Sequence, residues 1–222
     1  MIHAYLLELL YPSKCVFCGG LLGREETEIC TSCRKTLPYC EGHVKRVPYS
    51  KATSAVFYYE NLVRESVLRY KFHGNPHYSL AYGRLLAMKV AEQELDFDLI
   101  TYVPVSRRRH RRRGYDQAAR LAKALSRELG CRHHKLLKKI RNNPAQSGLS
   151  RPEQRRANVL GVYRVVDPKR VQGKTILLID DVMTTGATLS ECCRTLLDAG
   201  AAQVSCAVLA TVHRDTKQQV RK

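Results

Sequence analysis

The stretch Thr175-Ile-Leu-Leu-Ile-Asp-Asp-Val-Met-Thr-Thr-Gly-Ala-Thr-Leu189 constrains this chain more than any other. Ile176 to Ile179 are consecutive apolar residues, the pattern of a strand covered on both faces and therefore of a parallel sheet with helices on either side. Asp180 and Asp181 stand where that strand is expected to end. The small-residue run Thr184-Thr185-Gly186-Ala187-Thr188 then opens a helix marked by Leu189, Cys192, Cys193, Leu196 and Leu197 and closed by Gly200. Unpaired N–H groups at such a turn and helix start suit a phosphate, and threonine hydroxyls add donors. The paired carboxylates accept hydrogen bonds from vicinal hydroxyls or hold a metal. Together these residues describe a site for a ribose 5-phosphate.

Two plainer readings fit less well. A nucleotide triphosphatase also places acids at a strand end, but it needs G-x-x-x-x-G-K-[ST] ahead of a helix. Gly173-Lys174-Thr175 has Pro168 where the first glycine belongs, and it precedes its strand instead of following one. A bare strand-to-helix turn without a ligand would gain little packing from so many small polar side chains.

The chain of 222 residues suffices for one α/β domain and a small appendage. Its 38 basic and 20 acidic side chains leave a formal charge of +18, which points to polyanionic partners and says nothing about fold. Nine cysteines, an odd number with two C-x-x-C pairs among them, favour metal binding in a reducing compartment over a disulfide framework. Met1 to Tyr11 is apolar but short and lacks a basic leader, so no signal peptide or membrane span is expected and a cytoplasmic location is.

Cys15, Cys18, Cys30 and Cys33 give C-x2-C-x11-C-x2-C, two chelating turns that complete a tetrahedron of the kind zinc prefers. The expected appendage, residues 1–47, is too small to hold itself together by burial, so structural zinc would supply most of its fold. Cys40 and His43 lack a second pair and are read as non-ligating. Leu6, Leu7, Leu9 and Leu10 suggest a short helix.

Residues 48–222 form the expected main domain. Ala52–Tyr59 reads as a strand, and Asn61 caps a helix that ends near Gly74 and carries Lys71 towards the site. Another helix is expected over Tyr78–Glu94 and a second core strand over Leu99–Val105. A polar loop from Ser106 then carries Arg107, Arg108, Arg109, Arg111, Arg112 and Arg113, followed by a helix with Ala118, Leu121, Ala122 and Leu125. So many guanidinium groups cannot lie in a core without anions. They suit either a pyrophosphate at a strand end or the backbone of a nucleic acid, with the first arginine facing inward and the later ones outward. The turn-rich segment Asn142–Ser150, followed by Arg151, Arg155, Arg156 and Asn158, reads as a mobile arm.

The two-acid stretch resembles the phosphoribosyl-pyrophosphate loop of type I phosphoribosyltransferases. With V-P-V, R-G-Y-D-Q-A, N-P-A-Q-S-G-L-S, R-R-A-N-V-L-G-V-Y and the cysteine pairs, the whole chain resembles the ComF family of late-competence proteins. That resemblance implies a Rossmann-like, mostly parallel α/β sheet of the type I phosphoribosyltransferase kind behind a small N-terminal zinc ribbon. It implies that Asp180 and Asp181 take the ribose hydroxyls, and that Thr184, Thr185, Gly186, Ala187 and Thr188 take the 5-phosphate. Val105, Ser106 and Arg107 would face the pyrophosphate with its Mg²⁺, Lys71 would reach it from the side, and Gln146 would sit on the flexible arm. Arg108, Arg109, Arg111, Arg112 and Arg113 are the candidates for single-stranded DNA. The implied partners are phosphoribosyl pyrophosphate, single-stranded DNA and competence helicase or DNA-processing proteins, the last at the inner face of the membrane beside the DNA-uptake machinery. Tyr115 and Asp116 depart from the family, where Phe and Asn are common. Two functions stay open: a phosphoribosyltransferase, of the glycosyltransferase class, whose acceptor the sequence does not name; and a non-catalytic DNA-binding accessory protein that keeps the phosphoribosyl site as a ligand sensor.

Overall fold

The computed structural model describes residues 13–41, 44–73, 76–141 and 159–213. The core is a four-stranded, all-parallel sheet. Its strands are β1 (Thr53–Tyr58), β2 (Leu99–Tyr102), β5 (Thr175–Met183) and β6 (Gln203–Thr211), in the order β1-β6-β5-β2. Two short strands, β3 (Leu137–Lys139) and β4 (Tyr163–Val165), pair antiparallel beside it, with Lys139 opposite Tyr163.

Both faces of the sheet are covered, as the apolar run in β5 requires. Leu177 and Ile179 point to one side, with α2 (Asn61–His73), α3 (Pro76–Glu92) and α5 (Gln117–Glu128) packed over them. Ile176 and Leu178 point to the other, under α7 (Ala187–Asp198) and the β3–β4 pair. Gly83 lets α3 close on α5, since a Cβ there would sit 2.5 Å from that of Ala124. On the other face Glu191 of α7 accepts the Gly161 N–H at 2.8 Å and pairs with Arg194 at 2.8 Å, so the approach to β4 is tied to α7.

Three expectations need correction. The strand expected to stop at Asp180 continues to Met183, because β6 offers partners beyond the acids: Asp180 lies opposite Val208, Val182 opposite Ala210 and Met183 opposite Thr211. The strand expected over Leu99–Val105 ends at Tyr102. Past it only the Val103 N–H reaches the neighbouring strand, at Ile179 O (3.0 Å), and Pro104 has no N–H to offer. The arginine run is not a loop but a helix, α4 (Arg107–Arg113). Ser106 caps it by accepting the Arg109 N–H at 3.3 Å, and Gly114, at φ 77°, closes it by donating to His110 O. Arginine is a good helix former, so side-chain charge did not override the two end signals.

The short helix α1 (Thr31–Thr36) belongs to the cysteine-rich region, and that region is not a loose appendage. Val16 and Phe17 are completely buried in the same core as α2 and α3, with the Phe17 ring 5.3 Å from that of Phe57. Ser66 Oγ donates to Val16 O and Arg69 donates to Phe17 O. The remaining short helix, α6 (Pro168–Val171), leads into β5. No helix among the described residues is long and apolar enough to cross a membrane. The expected helix near Leu6 and the arm with Gln146 lie outside the described residues, as does His43.

Candidate functional site

The C-terminal ends of β2 and β5 open on a cavity of about 350 Å³, the place where open parallel sheets bind ligands. Asp180 and Asp181 form its floor, with Lys71 from the end of α2 beside them. Lys71 Nζ lies 3.1 Å from Asp181 Oδ1, and both side chains are mostly buried. Burial, and then the neighbouring Asp181 charge, push the Asp180 carboxyl well above the ordinary carboxylate range, against the pull of Lys71. Asp180 Oδ1 also accepts the Asp181 N–H at 2.8 Å.

Next to the acids, Gly186 holds the left-handed conformation (φ 78°) that turns the chain into α7. Gly186 brings no capping side chain to this helix, whose start carries a partial positive charge. Thr185 Oγ1 is 3.4 Å from the Ala187 N–H, and Thr188 lines the cavity directly. The structure thus brings Asp180, Asp181, Lys71, Val105 and Thr188 around one space, with Thr184, Thr185, Gly186 and Ala187 completing the turn beside it.

Helix α4 divides its arginines by helical period. Arg109, Arg112 and Arg113 line the acid-floored cavity, while Arg107, His110 and Arg111 line a second opening of about 790 Å³. Arg107 therefore faces away from the acids, and Arg108 lines neither opening. The larger opening is a basic groove, completed by Lys135, Lys138 and Arg141 at the edge of β3.

Three residues had escaped the reading of the sequence as parts of this site. Lys139 borders both openings, and burial, helped by the charge of Arg109, lowers its ammonium pKa to about 8. It has no ion-pair partner among the described residues; its Nζ lies 5.6 Å from the centre of the Tyr163 ring. Gln117 also lines the cavity, although its side chain is almost wholly buried. Asp116 positions the turn after β2, accepting the Val105 N–H at 3.0 Å and the Ala119 N–H at 3.1 Å. Only the R-G-Y-D-Q motif gave a sequence signal for the last two. Lys139 had none beyond a basic stretch.

The sulfurs of Cys15, Cys18, Cys30 and Cys33 all lie within 4.8 Å of one another. A tetrahedron with Zn–S bonds of about 2.3 Å has edges of about 3.8 Å, and Cys18 and Cys30 are already 3.7 Å apart. Backbone N–H groups of Gly20 and Cys33 approach Cys18 and Cys30 sulfur at 3.4 Å, as thiolate ligands require of their surroundings. The four residues fit a structural zinc ion and are the one such group among the described residues. Cys40 stands apart, buried, its thiol pushed up to about 11 by that burial.

Two family models match along the chain. Residues 6–52 match the double zinc ribbon domain, and residues 116–221 match the phosphoribosyl transferase domain. Competence protein F of Haemophilus influenzae is 28% identical over 216 residues, covering 86% of this chain and 93% of that protein. DNA utilization protein YhgH of Escherichia coli O157:H7 is 30% identical over 223 residues, covering 88% and 96% respectively. Competence protein ComFC of Bacillus subtilis is 30% identical over 214 residues, covering 90% and 85%. With an α/β parallel core of the phosphoribosyltransferase kind, an N-terminal zinc ribbon and these relatives along most of its length, the chain belongs to the ComF family of competence proteins.

Proposed function

We propose that this protein binds phosphoribosyl pyrophosphate in the acid-floored cavity and single-stranded DNA along the adjoining basic groove, and that it serves the handling of DNA in natural transformation. The carrying observation is the convergence, around one cavity, of Asp180 and Asp181, Thr188 from the start of α7, and a cationic wall from α4. Each wall matches one part of the ligand: carboxylates accept from ribose hydroxyls, the Thr184–Thr188 turn donates to the 5-phosphate, and Arg109, Arg112 and Lys139 meet the pyrophosphate.

In this reading the protein is a phosphoribosyltransferase. Substitution at the anomeric carbon passes through an oxocarbenium-like state, and the side chains act by positioning and by electrostatic stabilisation. Asp180 and Asp181 are oxygen donors of the kind Mg²⁺ accepts alongside phosphates, so the residues present fit that ion. Bound to the pyrophosphate, Mg²⁺ would neutralise charge on the departing group. Arg109 and Lys139 would hold the pyrophosphate oxygens, and Asp181 would exchange Lys71 for a ribose hydroxyl.

The second reading is a DNA-binding accessory protein whose cavity senses the ligand without turnover. It is favoured by the size of the groove, about 790 Å³ against about 350 Å³ for the cavity, and by the groove's cationic lining. Titration calorimetry with phosphoribosyl pyrophosphate and Mg²⁺ tests binding, and pyrophosphate release tests turnover. Binding by the native protein that weakens at least about tenfold in the Asp180→Asn/Asp181→Asn variant supports the assignment. Absence of binding by the native protein overturns it.

A further inference from the structure

The acid-floored cavity and the basic groove share a border. Pro104, Val105 and Lys139 line both openings, so the partition is one dipeptide of the turn after β2 and one lysine side chain. Lys139 is the one charged residue common to both linings among the described residues. The single acid that lines the groove there, Asp116, is engaged with the Val105 and Ala119 N–H groups.

Helix α4 connects the openings a second time. Its seven residues put Arg109, Arg112 and Arg113 on the cavity side and Arg107, His110 and Arg111 on the groove side. These cations crowd one another. Burial lowers the Arg113 guanidinium pKa, Asp181 opposes that, and the charges of Arg109 and Arg112 add to the lowering. A helix with its side chains is about 10 Å across, no more than the Debye length at about 0.1 M salt. Charge on one face is therefore felt on the other.

An anion in either opening gains from Lys139 and relieves the crowding along α4. Both gains are available once. A second anion, arriving in the other opening, meets a lysine already neutralised and a like charge across a thin partition. The sign of the effect follows from charge alone, because both proposed ligands are polyanions.

Resting on the reading of the cavity and groove given above, we propose that Lys139 couples the two openings negatively. Phosphoribosyl pyrophosphate in the cavity weakens the hold of the groove on single-stranded DNA, and the strand weakens the ligand by the same factor, since such coupling is reciprocal. The small ligand thus acts as a release signal for the strand, with no segment of the chain required to move.

The test is the affinity of a fluorescent oligothymidylate for the full-length, zinc-loaded protein at rising concentrations of phosphoribosyl pyrophosphate. Free Mg²⁺ and ionic strength are held constant. The ligand is expected to weaken the strand at least about fivefold and then to reach a plateau once the cavity is full. Calorimetry of the ligand, with and without saturating strand, should return the same factor. Lys139→Met should reduce the coupling to less than about twofold, and Lys139→Arg, which keeps the charge, should preserve it. Equal strand affinity with and without bound ligand overturns the inference, as does a coupling that survives in Lys139→Met. Weakening without a plateau overturns it too, because ligand and strand would then compete for one space. The plateau and the reciprocity are read on the native protein, so they decide the matter even where a variant fails to fold. Failure of the native protein to bind either partner alone is a different result, and it fells the reading of the two openings itself.

Discussion

Lys71 Nζ and Asp181 Oδ1 lie 3.1 Å apart, so on the proposed reading a ribose hydroxyl would compete with an ammonium for that carboxylate oxygen. Lys71 lines the same cavity, where a bound pyrophosphate would offer it a second partner. Lys71→Met is therefore expected to lose a stabilising contact on each side of the exchange. Affinity for phosphoribosyl pyrophosphate should fall about tenfold, and the melting temperature by about 2–4 °C, the scale of 1 kcal/mol in a chain of this size. Calorimetry and thermal unfolding on the same preparation check both.

Asp180 carries the opposite expectation for stability. Its pKa is raised in the folded state, so the folded protein holds a proton that the unfolded chain releases. Stability is then present in full at low pH and is lost as pH rises from the ordinary carboxylate range towards the raised value. Asp180→Asn should raise the melting temperature at pH 8 by about 2–4 °C and leave it nearly unchanged at pH 4, while ligand affinity falls. An unchanged melting temperature at pH 8 would show that the carboxylate is already relieved of its burial.

Lys139 titrates in the working range. With an ammonium pKa of about 8, it is charged at neutral pH and loses its charge well below the unfolded value. Anion binding needs the charge, so affinity for phosphoribosyl pyrophosphate should decline as pH rises through 8. Stability, by the sign of the same shift, should rise between 8 and the unfolded pKa. Lys139→Arg should flatten the affinity profile over pH 7–9. Calorimetry across that range reads it directly.

Division of α4 into two faces separates two kinds of arginine. For single-stranded DNA each neutralised phosphate contributes about 0.7 to the slope of log affinity against log salt. Arg107→Ala/Arg111→Ala, both in the groove, should lower that slope by about 1.4. Arg109→Ala/Arg112→Ala, in the cavity, should leave the slope unchanged and weaken the phosphoribosyl ligand instead. Filter binding at several salt concentrations distinguishes them.

One zinc ion per chain is expected, lost when Cys15 and Cys30 are both changed to Ser and read by mass spectrometry. Because Phe17 packs against Phe57 and Tyr82, removal of the metal should lower the unfolding temperature of the entire molecule and give a single transition. Two separate transitions would show the ribbon to be an independent unit.

Local signals in the sequence were strong where one physical cause dominates. The apolar run Ile176–Ile179 can only be a strand covered twice, and it is. The cysteine spacing closes a four-sulfur cluster because two turns leave few other geometries. Reading failed where a partner distant in the chain decides. The extent of β5 past Asp180 depends on β6, which begins at Gln203. Sorting of the arginines depends on Ser106 and Gly114 winding the run into a helix, whose period sends Arg107 to a different face from Arg109. Lys139 is unremarkable in a basic stretch, and it gains its place only when Tyr163 is brought opposite.

Helix α2 joins the cysteine knuckle to the cavity. Ser66 and Arg69 grip the carbonyls of Val16 and Phe17, inside the first cysteine knuckle, and the next turn carries Lys71 and Phe72 into the cavity. The residues of α2 that hold the knuckle and those that line the cavity are thus about one helical turn apart. Removal of zinc is therefore expected to slacken the hold of the knuckle on α2, so that the wall of the cavity and the metal site lose stability together.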